Sequence, residues 1–169
     1  MEILRTRLEE MVTGLQSGGK PSRDALSAAA EELRRWKKAN RVAGLWPDPP
    51  LMVTATIDDA MGHGLDLIHR YAGLAGLRIQ ALGLLQTAES VAAACRELDP
   101  ALLGLTVLQF DSEDDLALIT RNIPAAVRVV AGGPVFKADS DFARRTGVHR
   151  VASDAADFLK YVLTLYRQP

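Results

Sequence analysis

From residue 51 onward, five short apolar runs alternate with five helical patterns, and that alternation leaves few folds open to the chain. The runs are Leu51–Thr56, Arg78–Leu84, Leu102–Val107, Val127–Ala131 and His149–Ala152. The helical stretches are Gly64–Leu74, Ala88–Leu98, Asp114–Asn122, Lys137–Thr146 and Asp154–Tyr166. Strands separated by helices pair in parallel through right-handed crossovers, and the helices cover both faces of the sheet. Near-continuous apolar strands agree with this, because a parallel strand is buried on both faces. Thr87 and Ser153 stand where helix caps belong, and Ser112-Glu-Asp-Asp115 has the spacing of a capping box. The pattern therefore predicts an α/β domain over 51–169 with a five-stranded parallel doubly wound sheet, Rossmann- or flavodoxin-like.

Residues 1–46 follow another rule. Leu4, Leu8, Met11 and Leu15 form one stripe of an amphipathic helix, with Arg5, Arg7, Glu9 and Glu10 on the other face. Ser17-Gly-Gly-Lys-Pro21 ends it, and Ser22 with Asp24 starts a second helix through Leu26, Ala29, Ala30, Leu33 and Trp36 to about Arg41. Trp46-Pro-Asp-Pro-Pro50 reads as a linker, since successive prolines block a helix. Two helices enclose no core, so this hairpin is expected to cap the main domain or to pair with a second copy as a dimerisation element.

Function classes narrow next. A formal net charge of −1 gives no electrostatic case for nucleic acid or an anionic membrane. No stretch approaches the ~20 apolar residues of a membrane span, and the charged N-terminus lacks the apolar core of a signal peptide, so a cytoplasmic protein is expected. The one cysteine, Cys95, sits on an apolar helical pattern with Val91, Ala94 and Leu98, which is a packing role. Three scattered histidines and one cysteine make no zinc site.

Three signals fall where the first, third and fourth strands end: Asp59-Ala-Met-Gly-His-Gly64, Thr106-Val-Leu108 and Gly132-Gly-Pro134. Ligands of open parallel sheets lie outside the carboxyl ends of the strands, so the three point to one shared surface. A dinucleotide site is disfavoured: the glycines of the first turn come late, and Asp58 and Asp59 precede them and would repel phosphate. A phospho-receiver is disfavoured too, because the third strand ends in Thr106 and Leu108 with no aspartate in place to accept a phosphoryl group.

The stretch from Met52 to about Leu165 resembles the cobalamin-binding domain shared by methionine synthase, methylmalonyl-CoA mutase and corrinoid methyl-carrier proteins. That family carries D-x-H-x-x-G after the first strand, S-x-L after the third and G-G after the fourth. Here stand Asp59-x-Met61-x-x-Gly64, Thr106-x-Leu108 and Gly132-Gly133, in the same order. The resemblance implies that the lower nucleotide tail of cobalamin leaves the cobalt and enters a slot beside the sheet, with the corrin ring across the strand ends. Gly132 and Gly133 would then open that slot, Thr106 would hydrogen-bond the buried base, and Gly64 would relieve crowding at the helix start.

Met61 departs from the pattern, since the family histidine is the lower ligand to cobalt and is oriented by the neighbouring aspartate, here Asp59. Three readings follow. His63 takes over as metal ligand, kept neutral by its place near a helix N-terminus; or the corrinoid is held with no protein ligand below the cobalt; or corrinoid binding has been lost or altered. The family also places a helical bundle before the binding domain, capping the upper face of the ring; residues 1–46 supply half of one, so either the cap is reduced or two chains pair through the hairpin to complete it. The expected function is a cobalamin-binding carrier or sensor subunit acting with a separate catalytic protein, in methyl transfer, and not a complete enzyme on its own. The alternative is a non-catalytic regulatory or scaffold module that keeps the fold. A small mutase subunit is a third reading, and Met61 counts against it.

Overall fold

The computed structural model describes residues 2–59 and 63–165, with the backbone alone at His63. In chain order the helices are α1 (Glu2–Gln16), α2 (Arg23–Asn40), α3 (His63–Ala75), α4 (Ala88–Leu98), α5 (Glu113–Asn122), α6 (Val135–Ala138), α7 (Phe142–Thr146) and α8 (Ala155–Leu165). The strands are β1 (Leu51–Thr56), β2 (Arg78–Gly83), β3 (Leu102–Thr106), β4 (Arg128–Gly132) and β5 (Arg150–Val151). Two compact units result. One holds residues 51–65 and 79–153; the other holds 2–50, 66–78 and 154–165.

In the first unit the five strands form one parallel sheet in the order β2-β1-β3-β4-β5, the flavodoxin-like arrangement the alternation predicts. Side chains alternate between faces, which sorts each strand into two sets. Val53, Ala55, Leu103, Leu105, Val107, Val129 and Ala131 make one face and bury against Ala88, Val91 and Cys95 of α4 and Leu116 and Ile119 of α5. Met52, Thr54, Thr56, Leu102, Gly104, Thr106, Val130 and Gly132 make the other, a face of smaller and more polar residues toward its carboxyl end. Cys95 is fully buried and its thiol is pushed up to about 11 by that burial, so it packs and does not react.

Several local expectations change. The Ser112 hydroxyl caps no helix; it donates to Asp58 Oδ2 (3.4 Å), while Phe110–Ser112 forms a 3-10 turn leading into α5. The helix expected over Lys137–Thr146 is two short ones, α6 and α7. Asp139 Oδ1 accepts the Asp141 N–H (2.9 Å), an aspartate turn that replaces the helical ladder between them. β2 is an edge strand with four of its six residues exposed, so burial on both faces does not extend to it. At α8 the carboxylate of Asp154 accepts the Asp157 N–H (2.9 Å), the capping bond assigned above to Ser153. The caps by Ser22 and Thr87 form as expected, accepting from the N–H of Ala25 and Ser90 (3.1 Å each).

In the second unit α1 packs on α2 and on α8. Its buried stripe is Leu4, Arg5, Leu8 and Val12, and Met11 and Leu15 instead line a groove of about 270 Å³ with Ala29 and Leu33 of α2. Buried Tyr71 of α3 donates its hydroxyl to Leu26 O (2.9 Å), and burial pushes its pKa up to about 12. Lys37 Nζ donates to Ala43 O (2.7 Å) and to Leu74 O at the last turn of α3. Gly44 and Gly76 meet backbone to backbone: a Cβ on Gly76 would lie 2.6 Å from Gly44 Cα. No helix among the described residues is long and apolar enough to cross a membrane.

Candidate functional site

The carboxyl ends of β1, β3 and β4 share one row. Thr56 pairs in register with Thr106, and Thr106 with Gly132, so all three point to the same face. The three differ in what they leave open. Thr56 is fully buried and committed, its Oγ1 accepting the Leu85 N–H (3.0 Å) and its carbonyl the Gln86 N–H (2.8 Å). Thr106 is half-buried, and its hydroxyl makes no hydrogen bond among the described residues. Gly132 has no side chain, and a Cβ there would meet only Ala152 O, at 3.0 Å. The row is thus a cradle with, in its middle, a hydroxyl that no described residue bonds.

The turn after β1 is pinned on two sides. Thr56 ties its start to the loop after β2. Asp58, buried, ties its middle to the loop after β3, Oδ2 accepting from the N–H of Leu108 (2.6 Å) and Gln109 (3.1 Å) as well as from Ser112. Asp59 is exposed, and its Oδ1 accepts from Gln109 Nε2 (2.6 Å). Met61 lies outside the described residues, as does the side chain of His63, whose backbone opens α3. A Cβ on Gly64 would have no heavy atom of the described residues within 4 Å.

Leu108 is partly exposed beside Thr106. Gly133 has a different reason from Gly132. Its φ is +136°, and a Cβ would fall 1.8 Å from Val107 O, so glycine there lets the β4 turn close on the β3 turn. Thr56, Asp58 and Gln109 were missed from the sequence as site residues. The Asp58-Asp59 pair was visible, yet nothing in one sequence tells which carboxylate turns inward. His149 also has a partner: its Nδ1 accepts the Val129 N–H (3.0 Å), joining β5 to β4. Desolvation, and then the Arg128 charge, lower its pKa. No group of three His, Cys, Asp or Glu among the described residues is placed to hold a metal ion.

Parallel doubly wound sheets are a class of domain that takes ligands outside the carboxyl ends of its strands, where this row of a hydroxyl and a bare glycine stands. The B12 binding domain family matches residues 50–162, and the chain belongs to that family, whose ligand is cobalamin. No curated protein matches it in sequence. Among solved structures it is similar to a cobalamin-binding protein from Desulfitobacterium hafniense, at TM-score 0.82 and 18% identity over 99% of this chain and 82% of that one. It is also similar to the monomethylamine corrinoid protein of Methanosarcina barkeri, at TM-score 0.60 and 22% identity over 83% of this chain and 67% of that one. A third is a methanol:cobalamin methyltransferase complex from the same organism, at TM-score 0.66 and 18% identity over 96% and 66%. These likenesses establish a shared fold. The missing side chain at Gly132 and the Thr106 hydroxyl, unbonded among the described residues, fit a cobalamin whose aromatic base enters beside the sheet.

Proposed function

We propose that the chain is a corrinoid carrier or sensor that holds cobalamin at the carboxyl end of its sheet and presents it to a separate catalytic protein, in methyl transfer. The observation that carries this is the Thr56, Thr106 and Gly132 row. Bound cobalamin supplies a cobalt centre able to accept and give up a one-carbon group. The chain's own residues bind and orient: the Thr106 hydroxyl hydrogen-bonds the base, Gly132 leaves it room, and Asp58 holds the turns after β1 and β3 at fixed spacing. That two similar structures are a corrinoid protein and a methyltransferase complex supports a separate partner. A second copy is not needed to cover the apolar stripe of α1, which packs on α2 and α8 of the same chain.

For the lower face of the corrin, the reading is that no protein atom ligates the cobalt. Methionine stands where the family has histidine, and the carboxylate that would orient a histidine is taken up by Gln109. The test is to mix the chain with equimolar hydroxocobalamin, desalt it, and record the absorbance spectrum of parent and His63→Ala. Retained colour with a spectrum of nucleotide-free cobalt, unchanged in His63→Ala, is the expected result. A spectrum that changes in His63→Ala moves the ligand role to His63. Colourless protein overturns the carrier and leaves the non-catalytic module.

A further inference from the structure

Three described residues other than glycine have positive φ: Arg41 (54°), Asp99 (43°) and Leu85 (53°). Arg41 and Asp99 close α2 and α4, where a left-handed residue is the ordinary helix ending. Leu85 closes nothing. It sits between β2 and α4 as an exposed leucine, 65% accessible, next to Leu84 at 49%. Left-handed backbone costs a residue with a Cβ on the order of 1 kcal/mol, and glycine or asparagine would adopt it more cheaply. An exposed leucine gains no packing within the chain to offset that.

The bend is nonetheless firmly held. Thr56 accepts from Leu85 N and Gln86 N on one side. On the other, the Gln86 side chain donates to Leu84 O (3.1 Å) and accepts from Ser90 Oγ (3.3 Å), and Thr87 caps α4. Every polar group named is satisfied within the bend, and what the bend offers outward is a pair of apolar side chains. Backbone strain kept in place by surrounding bonds clusters at functional contacts.

We infer that Leu84 and Leu85 are an apolar binding contact for the edge of the corrin macrocycle. The inference rests on the cobalamin reading above. Two observations select this occupant. Thr56, which holds Leu85, also belongs to the row with Thr106 and Gly132, so the tip is built from the same strand end as the cradle. Leu108 is presented on the other side of the β1 turn by Asp58, two residues after Thr56, so partly exposed leucines flank that turn on both sides. A corrin edge carries methyl groups among its amide arms, and leucine methyls are the complement to the former.

The test is a hydroxocobalamin titration followed by absorbance, on the parent chain, Leu85→Asn, Leu85→Gly and, as a control, Leu118→Ser on the exposed part of α5. Burial of one leucine side chain makes about tenfold in affinity, so both Leu85 variants are expected to bind about tenfold more weakly. Their melting temperatures stay at or above the parent's, because each relieves strain, and Leu118→Ser leaves affinity unchanged. Parent-like affinity in both Leu85 variants, with the parent binding, overturns this inference alone and assigns the tip to protein contact. A parent that does not bind overturns the cobalamin reading and the inference with it.

Discussion

Asp58 is the residue on which the geometry of the strand ends turns. Its buried carboxylate accepts two backbone N–H groups from the loop that follows Thr106, and alanine would leave both without a partner. Asp58→Ala is expected to cost about 3 kcal/mol of stability, read from the urea midpoint. Asp58→Asn, which keeps the acceptor oxygen, should cost less. His149 gives a pH effect of definite sign. Its Nδ1 must stay unprotonated to accept from Val129, and its pKa in the fold lies below its ordinary value. The unfolded chain therefore binds the proton more readily, so the contribution is complete above about pH 6.5 and is lost as pH falls from there through the folded value. Melting temperatures at pH 7.5 and 5.5 should differ more for the parent than for His149→Leu.

Gly132 and Gly133 read alike in sequence and do different work in the sheet. Gly133 joins the ends of β3 and β4, so Gly133→Ala is expected to destabilise by about 3 kcal/mol or more, with thermal melting as the check, because both its φ and its clash with Val107 oppose a Cβ. The elements themselves were largely legible, since alternating apolar runs and helical stripes depend only on periodicity. What periodicity does not see is competition from side-chain hydrogen bonds. Ser112 had the right spacing for a cap, but its hydroxyl is taken by Asp58, 54 positions earlier. The single helix expected through Lys137–Thr146 breaks because Asp139 binds the backbone of Asp141. The exposure of β2 follows from its place at the edge, which strand order decides and local pattern does not.

The alternation that gave the sheet also assigned α3 and α8 to it, whereas by contact density residues 66–78 and 154–165 group with the N-terminal hairpin. Density of contact is a property of the folded chain, invisible to a pattern read along it. Within that helical unit the Tyr71 hydroxyl bonds α3 to α2, and Tyr71→Phe should cost about 1 kcal/mol by chemical denaturation, since it removes one buried hydrogen bond. The candidate site was legible as three motifs. Its organising residues, Thr56 and Asp58, were not, because their roles lie in partners 29 and 50 positions away. The most direct measurement is the hydroxocobalamin affinity of Thr106→Phe beside the parent. That substitution fills the cradle from a half-buried position whose side chain bonds to nothing among the described residues. The account predicts at least about tenfold weaker binding at an unchanged melting temperature; equal affinity would contradict it.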